Sequence, residues 1–444
     1  MARLEDHPTV IRRRSLAAAE PPAVLDADRL RRLCLEAGGD DLGFVAIDRP
    51  ELDDQREEIL GLYPWTKTLI SLVCRMNREP VRSPARSVAN LEFHHVGDHT
   101  NEVAHAIVQA LEGQGVRAVN PAMGFPMEAD RFPSKRPWVI SHKPVAVAAG
   151  LGRMGIHRNV IHPRFGNFIL LSTILLDAEV SEQSHPIDYN PCLECKLCVA
   201  ACPVGAIAPV GHFDFTACYT HNYREFLGGF TDWVENVVES RSAIDYRRRV
   251  SDSESASMWQ SLGFGPNYKA AYCMAVCPAG DDVIGPFLDD RRGFLESVVD
   301  PLEQKAEPLY VVPGSDAEAH AAKRFPHKRI RHVRSGMRPD SIESFLTTLP
   351  HAFQRGRSSG LSATYHFTFT GKEPRDATVI IRDQTIRVAP GHEGTPDLRV
   401  QADGETWIGF LRRERSLVWA LLRGKIRLRG SLRLLPAFGR CFPS

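Results

Sequence analysis

The sequence predicts a protein of mixed α and β structure, with an α/β region, a cysteine-rich insert and a C-terminal α+β domain. Three observations predict this division. Apolar strands alternate with amphipathic helices up to about residue 180, seven of the ten cysteines lie between residues 192 and 277, and a period-two pattern begins at residue 362. The predicted units are a disordered N-terminus at 1–22, an α/β core at 23–185, the insert at 186–282, a connector at 283–337 and the last domain at 338–444.

Local signals place each element of the α/β region. Asp28 can cap a helix that ends at Gly38. Val103, Ile107 and Leu111 recur at helical spacing, which predicts a helix over 101–111. Continuous apolar runs predict buried strands at 42–47, 68–74 and 168–176.

The cysteine run at 192–202 is the most informative motif in the chain. Three cysteines with two-residue gaps are followed, after three more residues, by Cys202 and a proline. This is the bacterial ferredoxin spacing for a [4Fe–4S] cluster, in which the fourth cysteine ligates a second cluster. A structural zinc site needs only four ligands, and it does not explain the second C-x-x-x-C-P that begins at Cys273.

A two-cluster arrangement divides the predicted metal ligands into two sets. The first set, with four thiolates for a full [4Fe–4S] cluster, is Cys192, Cys195, Cys198 and Cys277. The second set is Cys202, Cys218 and Cys273. Its fourth thiolate is expected three residues before Cys273, where the chain has Ala270. The second cluster is therefore a [3Fe–4S] form, has a non-cysteine or remote ligand, or binds an external group at an open iron.

A glycine turn at 150–155 is the second motif. Gly150, Gly152 and Gly155 match G-x-G-x-x-G, but a dinucleotide site needs a strand before the glycines and a helix after them. Here an alanine-rich, helix-like segment precedes the turn and Pro163 follows it closely. We therefore interpret the three glycines as cofactor-binding residues in a tight turn, where the backbone approaches another element or a planar cofactor.

Composition excludes several function classes. The net charge of +1 provides no global field for nucleic acid, which argues against a DNA partner. No apolar run has the length of a membrane span, and no apolar segment follows the arginines at 12–14 as an export signal would require. Ten cysteines with this spacing indicate metal ligands rather than disulfides, and together these points predict a cytoplasmic protein.

The C-terminal hundred residues predict an antiparallel sheet with helices. The strands are expected at 362–369, 377–382, 385–388, 397–402 and 425–429, with helices at 406–411, at 417–422 and after 431. We expect Tyr365, Phe367, Phe369, Trp407 and Trp419 to line or flank an apolar cavity. Nine Lys or Arg against two Glu in 404–444 indicate either a solvated face or a surface for an anionic ligand or a membrane.

With these motifs in place, residues 25–282 resemble epoxyqueuosine reductases and, more loosely, reductive dehalogenases. The resemblance is carried by 148–156 (Ala-Ala-Gly-Leu-Gly-Arg-Met-Gly-Ile), by 163–166 (Pro-Arg-Phe-Gly), by the strand that leads to Asp177 and by the double cysteine set. It implies a nitroreductase-like α/β core that binds cobalamin, a ferredoxin-like two-cluster insert that reduces the cobalt, and tRNA as substrate.

Two positions depart from that family. The resemblance places a proton-donating Asp where this chain has Ser141, and a tryptophan where it has Arg153. The predicted catalytic residues are therefore Ser141 and, as replacement donors, His142 and Arg153. Serine is a poor acid, so the sequence argues against tRNA as a partner.

Residues 338–444 resemble sterol carrier protein type 2 domains, through the strand pattern, 396–407 and 422–430. The resemblance implies an apolar tunnel that holds lipids. The first hypothesis is therefore an iron–sulfur reductase that depends on cobalamin, takes electrons from a ferredoxin- or flavodoxin-type donor and reduces an apolar or lipid-like molecule. The alternative is a ferredoxin-like electron-transfer protein without a corrinoid, which uses its last domain for docking.

Overall fold

The computed structural model describes residues 3–15, 23–131 and 136–443. The strands are β1 (Val24–Leu25), β2 (Asp41–Ala46), β3 (Thr68–Arg75), β4 (Ala118–Val119), β5 (Arg153–Met154), β6 (Val160–Ile161), β7 (Ile169–Leu176), β8 (Glu179–Val180), β9 (Pro308–Val311), β10 (Arg329–His332), β11 (Ala363–Thr370), β12 (Arg375–Arg382), β13 (Thr385–Pro390), β14 (Leu398–Asp403) and β15 (Ile426–Gly430). The α-helices are α1 (Pro8–Ser15), α2 (Ala27–Glu36), α3 (Arg56–Leu62), α4 (Arg78–Arg82), α5 (Arg86–Glu112), α6 (His142–Ala148), α7 (Leu197–Ala201), α8 (Phe215–Asn222), α9 (Gly228–Glu239), α10 (Ala243–Arg249), α11 (Asp252–Phe264), α12 (Tyr272–Ala275), α13 (Gly285–Asp289), α14 (Arg291–Phe294), α15 (Asp300–Gln304), α16 (Asp316–Arg324), α17 (Ile342–Ala352), α18 (Gly404–Leu411), α19 (Leu417–Leu422) and α20 (Leu434–Arg440).

The first unit is a four-stranded sheet with helices on both faces. The strand order is β2-β3-β7-β4, and each neighbouring pair is antiparallel. Successive residues of β3 face opposite layers: Ile70 and Leu72 pack with α2 and α5, whereas Leu69 and Val73 pack with α6. Burial on both faces explains why the sequence of this strand is a continuous apolar run.

Two elements of this unit differ from the prediction. The cap of α2 is Asp26 rather than Asp28, because its Oδ1 accepts the Arg29 N–H at 2.7 Å. Helix α5 begins at Arg86, well before the predicted start at 101. Its buried face carries polar residues that interrupt the apolar period, and one of them, Asn90, exchanges hydrogen bonds with the backbone of Tyr268 in the insert.

The insert and the connector share one hydrophobic core with the first unit. A single cluster of buried side chains extends from Leu25 to Ala317 and includes Phe168 of the sheet, Tyr272 of the insert and Val311 of the connector. The segment predicted as a connector contains helices and a parallel β9–α16–β10 unit. The predicted boundaries at 185 and 282 therefore do not separate one hydrophobic core from another.

The C-terminal domain is a five-stranded sheet in the order β13-β12-β11-β14-β15. β11 and β14 run parallel, so the sheet is mixed rather than antiparallel as predicted. The β11–β14 connection passes through β12 and β13, which lets the two central strands point the same way. The basic alternation of β15 is confirmed, because Ile426 is buried while Lys425, Arg427 and Arg429 are exposed.

The predicted aromatic set of this domain divides into two groups. Tyr365, Phe367, Phe369 and Trp407 are buried together beneath the sheet. Trp419 is instead 62% exposed and is not part of the buried cluster, so it does not join the other four in lining an apolar interior.

The N-terminal segment was predicted to be disordered over 1–22. Residues 16–22 lie outside the described part of the chain, and the described part contains α1, which has no buried residue. Among the helices that the structure describes, none combines the length and apolar character needed to cross a membrane.

Candidate iron–sulfur site

Two residues of the cysteine run have an uncommon backbone conformation that turns the chain tightly. Glu194 and Lys196 have positive φ angles of 49° and 64°. Lys196 is the N-cap of α7, which carries Cys198 and ends at Cys202. Residues other than glycine seldom adopt this conformation, and it recurs where a functional loop is fixed by its surroundings.

The structure brings the four cysteines of the first set around one pocket. The cavity is lined by Cys192, Cys195, Cys198 and Cys277, together with His157 and Ala279. Burial, together with the neighbouring Cys195 and Cys192, raises the pKa of the Cys277 thiol to about 12. Such thiols lose their protons to a tightly bound metal centre rather than to solvent.

The three cysteines of the second set also lie together, at the end of α7, in α8 and in α12. Burial raises the pKa of the Cys218 thiol well above its usual value, and Cys273 and Cys202 add to that effect. The Ala206 N–H donates to Cys202 Sγ at 3.3 Å, among several backbone N–H groups that favour its thiolate. This donor pattern suits a cluster thiolate, because hydrogen bonds to cluster sulfurs stabilise their negative charge.

Ala270, which stands where the fourth thiolate was expected, lies beside the second set of cysteines. The Ala270 N–H donates to Asn222 Oδ1 at 2.9 Å, and Asn222 is the last residue of α8, the helix that carries Cys218. Alanine provides no ligand there.

The donor sets fit iron–sulfur clusters better than single ions. A tetrahedral zinc takes four ligands at Zn–S distances of about 2.3 Å, whereas this chain places seven cysteines in two neighbouring sets. Among the described residues, no group of three or more His, Cys, Asp or Glu side chains is close enough to hold one metal ion. The first site provides four thiols around one pocket, those of Cys198 and Cys277 being buried, and the second provides three.

The residues predicted to be catalytic are engaged by the protein itself. His142 contacts Thr173 Oγ1 at 2.9 Å and the Ala122 carbonyl at 3.1 Å through its two ring nitrogens, and burial lowers its pKa to about 4. Arg153 donates through its guanidinium to the Ile187 carbonyl. These contacts engage both ring nitrogens of His142 and the guanidinium of Arg153 within the protein, and their roles as proton donors stay predictions.

Ser141 is fixed in the same way. Its N–H donates to Gln55 Oε1 at 2.8 Å, and its hydroxyl accepts from Arg136 at 3.1 Å. It precedes α6 without capping it. The Ser141 hydroxyl is therefore held in place by the Arg136 guanidinium.

The glycine turn packs against this chain. A Cβ at Gly150, which has a φ of +74°, would lie 2.3 Å from the His185 carbonyl oxygen. A Cβ at Gly152 would lie 2.3 Å from the Ile161 carbonyl oxygen, and one at Gly155 would meet His157 and Ile161. Close approach to another element thus accounts for the three glycines, and the prediction that they bind a cofactor gains no support from their surroundings.

Lys143 is a functional candidate that the sequence reasoning missed. Its Nζ donates to the Arg158 carbonyl and to Asn159 Oδ1, both at 2.8 Å. The Asn159 amide nitrogen lies 3.8 Å from Cys273 Sγ. Burial lowers the pKa of Lys143, and the nearby Cys273 and Cys218 oppose this effect. The residue as a whole is exposed.

Two family models match the chain. The 4Fe-4S binding domain matches residues 185–208, and the SCP-2 sterol transfer family matches residues 344–442. These matches agree with the predicted cluster insert and with the predicted C-terminal domain. The chain thus combines an iron–sulfur region with a domain similar to sterol carrier proteins.

Curated relatives are epoxyqueuosine reductases, as the resemblance predicted. The one from Gloeobacter violaceus is 26% identical over 185 residues, covering 41% of this chain and 54% of that protein. The one from Cellulophaga algicola is 29% identical over 97 residues, covering 20% of this chain and 31% of that protein. The chain therefore spans between about a third and about half of the length of these relatives. Their names agree with the prediction of an iron–sulfur reductase.

Three solved structures resemble parts of this chain. An epoxyqueuosine reductase from Streptococcus thermophilus has 18% identity and a TM-score of 0.30, covering 42% of this chain and 54% of that chain. A catabolic reductive dehalogenase has 16% identity and a TM-score of 0.37, covering 67% and 35%. A palmitated sterol carrier protein-like structure from Aedes aegypti has 19% identity and a TM-score of 0.19, covering 22% and 94%.

The prediction that tRNA is an unlikely partner requires correction. It depended on the net charge of +1 and on Ser141, which replaces the acid that the family resemblance implies at that position. The curated relatives are nevertheless epoxyqueuosine reductases, so the replacement of one side chain is not sufficient ground to set the tRNA class aside.

Proposed function

We propose that the protein is an iron–sulfur reductase in which two clusters pass electrons to a substrate bound near the second cysteine set. The observation that carries the proposal is the arrangement of seven cysteines: four around one cavity, and three more beside it in the same packed unit. Electron transfer between closely spaced clusters requires such an arrangement. The names of the curated relatives support the same reaction class.

Lys143 is the residue that we propose to supply positive charge or a proton to the bound substrate. Its ammonium group is fixed by two acceptors, one of them on Asn159, whose amide nitrogen lies 3.8 Å from Cys273 Sγ, and the residue is exposed. An ammonium group at this position can stabilise charge that develops on a substrate during reduction. Among the described residues, His142 and Arg153 have their polar atoms directed at protein partners instead.

The position of the C-terminal domain supports the proposal that the substrate is apolar. It contacts the insert at the helix that carries Cys218: the Thr216 hydroxyl donates to the His351 carbonyl at 2.7 Å, and Gln354 donates to Asp214 at 3.2 Å. A lipid-binding domain held against this helix can deliver a lipid-like molecule to the cluster region. We therefore propose a lipid-like substrate and, since the ten cysteines are unpaired thiols, a reducing cytoplasmic location.

Cobalamin is proposed on the family resemblance alone. The space beside the three glycines of the turn is filled by atoms of this chain rather than left for a corrinoid. A bound corrinoid would supply a strongly reducing cobalt centre. Without it, the same cysteine sites describe the alternative function, a ferredoxin-like electron-transfer protein that docks through its last domain.

The test is anaerobic purification with cobalamin supplied, followed by iron, sulfide and corrin analysis and by electron paramagnetic resonance. We expect about seven to eight irons per chain, as one four-iron cluster and a three- or four-iron partner. One zinc and no acid-labile sulfide would contradict the iron–sulfur proposal. Two clusters without bound corrin would favour the electron-transfer function over the cobalamin-dependent reductase.

A tRNA substrate is the second candidate, favoured by the names of the curated relatives. The exposed basic residues of β15 could contact phosphates. The reduced and reconstituted protein should be assayed with epoxyqueuosine-containing tRNA, with Lys143→Met as the matched variant. Turnover by the wild type would select this substrate over a lipid, and its absence in a protein with both clusters would select against it.

A further inference from the structure

Two buried arginines lie behind α12, the short helix that carries Cys273 and leads to Cys277. The side chain of Arg82 is 8% exposed, and its NH2 group is buried without a hydrogen-bond partner. All three guanidinium nitrogens of Arg86 are likewise buried and unpartnered among the described residues. Guanidinium groups are rarely left in this state, because desolvating one without compensation costs several kcal/mol.

Each arginine is fixed on a different part of the cysteine helix. Arg82 Nε donates to the Ala275 carbonyl at 3.4 Å, two residues before Cys277. Its guanidinium also lies 5.3 Å from the rings of Phe168 and Phe294, which hold it in place.

Arg86 lies 5.3 Å from the ring of Tyr272, the residue before Cys273. Arg86 thus contacts the residue next to Cys273 of the second set, whereas Arg82 contacts the carbonyl two residues before Cys277 of the first set. The two arginines therefore correspond to the two cysteine sets, one to each.

Nearby carboxylates do not balance these charges. Glu79 is 3.5 Å from Arg82, but its side chain is 85% exposed, so water screens that pair. Glu307 is the acid close to Arg86, and it is already bound by Lys328 at 2.7 Å and by Lys305 at 3.5 Å. The region behind α12 thus carries an excess of buried positive charge.

We propose that Arg86 and Arg82 are fixed counter-charges for the two clusters, Arg86 for the second set and Arg82 for the first. The inference rests on the proposed function for the presence of the clusters. A cluster gains negative charge on reduction, so a buried cation beside its thiolates stabilises the reduced form and raises the reduction potential. The arginines would thereby let a donor of moderate potential reduce both clusters.

The experiment is a potentiometric titration of the reconstituted full chain, followed by electron paramagnetic resonance. We expect Arg86→Met to make the second cluster about tenfold harder to reduce, equivalent to about 59 mV for one electron, and to change the first cluster less. Arg82→Met should show the opposite selectivity. Arg86→Lys and Arg82→Lys, which keep the charge, should restore most of each potential.

Two results would overturn the inference: potentials that do not change, or potentials of both clusters that change equally in both variants. If a Met variant does not fold, Arg86→Gln and Arg82→Gln remove the charge while keeping polar ends, and the same comparison applies. Failure of the proposed function is distinguishable, because it appears as wild-type protein without clusters, before any potential is measured.

Discussion

The C-terminal domain has a hydrophobic core of its own, whereas the largest core of the chain is shared by the sheet, the cysteine insert and the connector. The C-terminal cluster of buried side chains contains only residues from Ile342 to Cys441. The other large cluster passes through the sheet, the cysteine insert and the connector, and it includes the cluster-binding cysteines Cys198 and Cys202. The last domain can therefore be exchanged as a unit, whereas cluster binding and folding of the first three segments depend on each other.

The largest expected effect concerns fragments. Residues 338–444 should fold alone, because Phe345, Phe367 and Trp407 pack against one another with ring centroids 5.6 to 5.9 Å apart and need no residue from outside the domain. Residues 186–282 should not, because their buried side chains complete a core whose other members lie in the sheet. Circular dichroism and thermal unfolding measure both. A cooperative unfolding transition in 186–282 would contradict the shared core.

The next largest effect is expected when one cysteine is removed from each core. Cys277→Ala should remove the first cluster and about four irons per chain, because no other described thiol lines that cavity in its place. Cys441→Ala is the matched control, since Cys441 is equally buried but belongs to the C-terminal core. Iron and sulfide analysis should show loss in the first variant alone. Equal iron in both would mean that Cys277 is not a ligand.

Addition of a thiol sharpens the contrast between the two cysteine sets. Ala270→Cys should convert a three-iron signal of the second cluster to a four-iron signal, because position 270 is held beside α8 and Cys218. Electron paramagnetic resonance of the oxidised and reduced protein measures the conversion. A wild-type second cluster that already shows a stable four-iron spectrum, unchanged by the substitution, would mean that another residue supplies the fourth ligand.

Aromatic truncation compares the two cores directly. Trp407→Ala and Phe168→Ala each remove a fully buried ring, at a cost of about 3–5 kcal/mol in the free energy of unfolding. Only Phe168→Ala should also lower the iron content, since Phe168 shares its core with the cysteines and contacts Arg82. Denaturant unfolding and iron analysis test both variants. Iron loss in Trp407→Ala would show that the C-terminal core is coupled to the clusters.

The sequence predicted local features well and spatial relations poorly. Cysteine spacing places the ligands because a cluster loop is built from neighbouring residues. Lys143 was missed because its approach to Cys273 joins segments far apart in the chain. The parallel β11–β14 pair was missed for the same reason, since strand patterns do not record pairing order. An apolar residue is not always an interior one, as the exposed Trp419 shows.

The smallest expected effect is a pH dependence that originates in the shared core. His221 is 2% exposed, accepts the Tyr310 N–H through Nδ1 and has no described hydrogen-bond partner at Nε2. Burial lowers its pKa to about 4. The folded state therefore holds it neutral, and the unfolded state takes up a proton once the pH falls below about 6.5.

Stability should consequently be lost as the pH falls from about 6.5 toward 4, and His221 should account for about 1.4 kcal/mol of that loss at pH 5.5. Denaturant unfolding of the wild type and of His221→Gln at pH 7.5 and 5.5 measures it: the variant should lose less stability between the two values. His105→Gln is the control, because His105 is exposed on α5 and should leave the pH dependence unchanged. An identical pH slope in the wild type and in His221→Gln would show that this core admits a protonated imidazole, and hence that it is less tightly closed around α8 than its burial indicates.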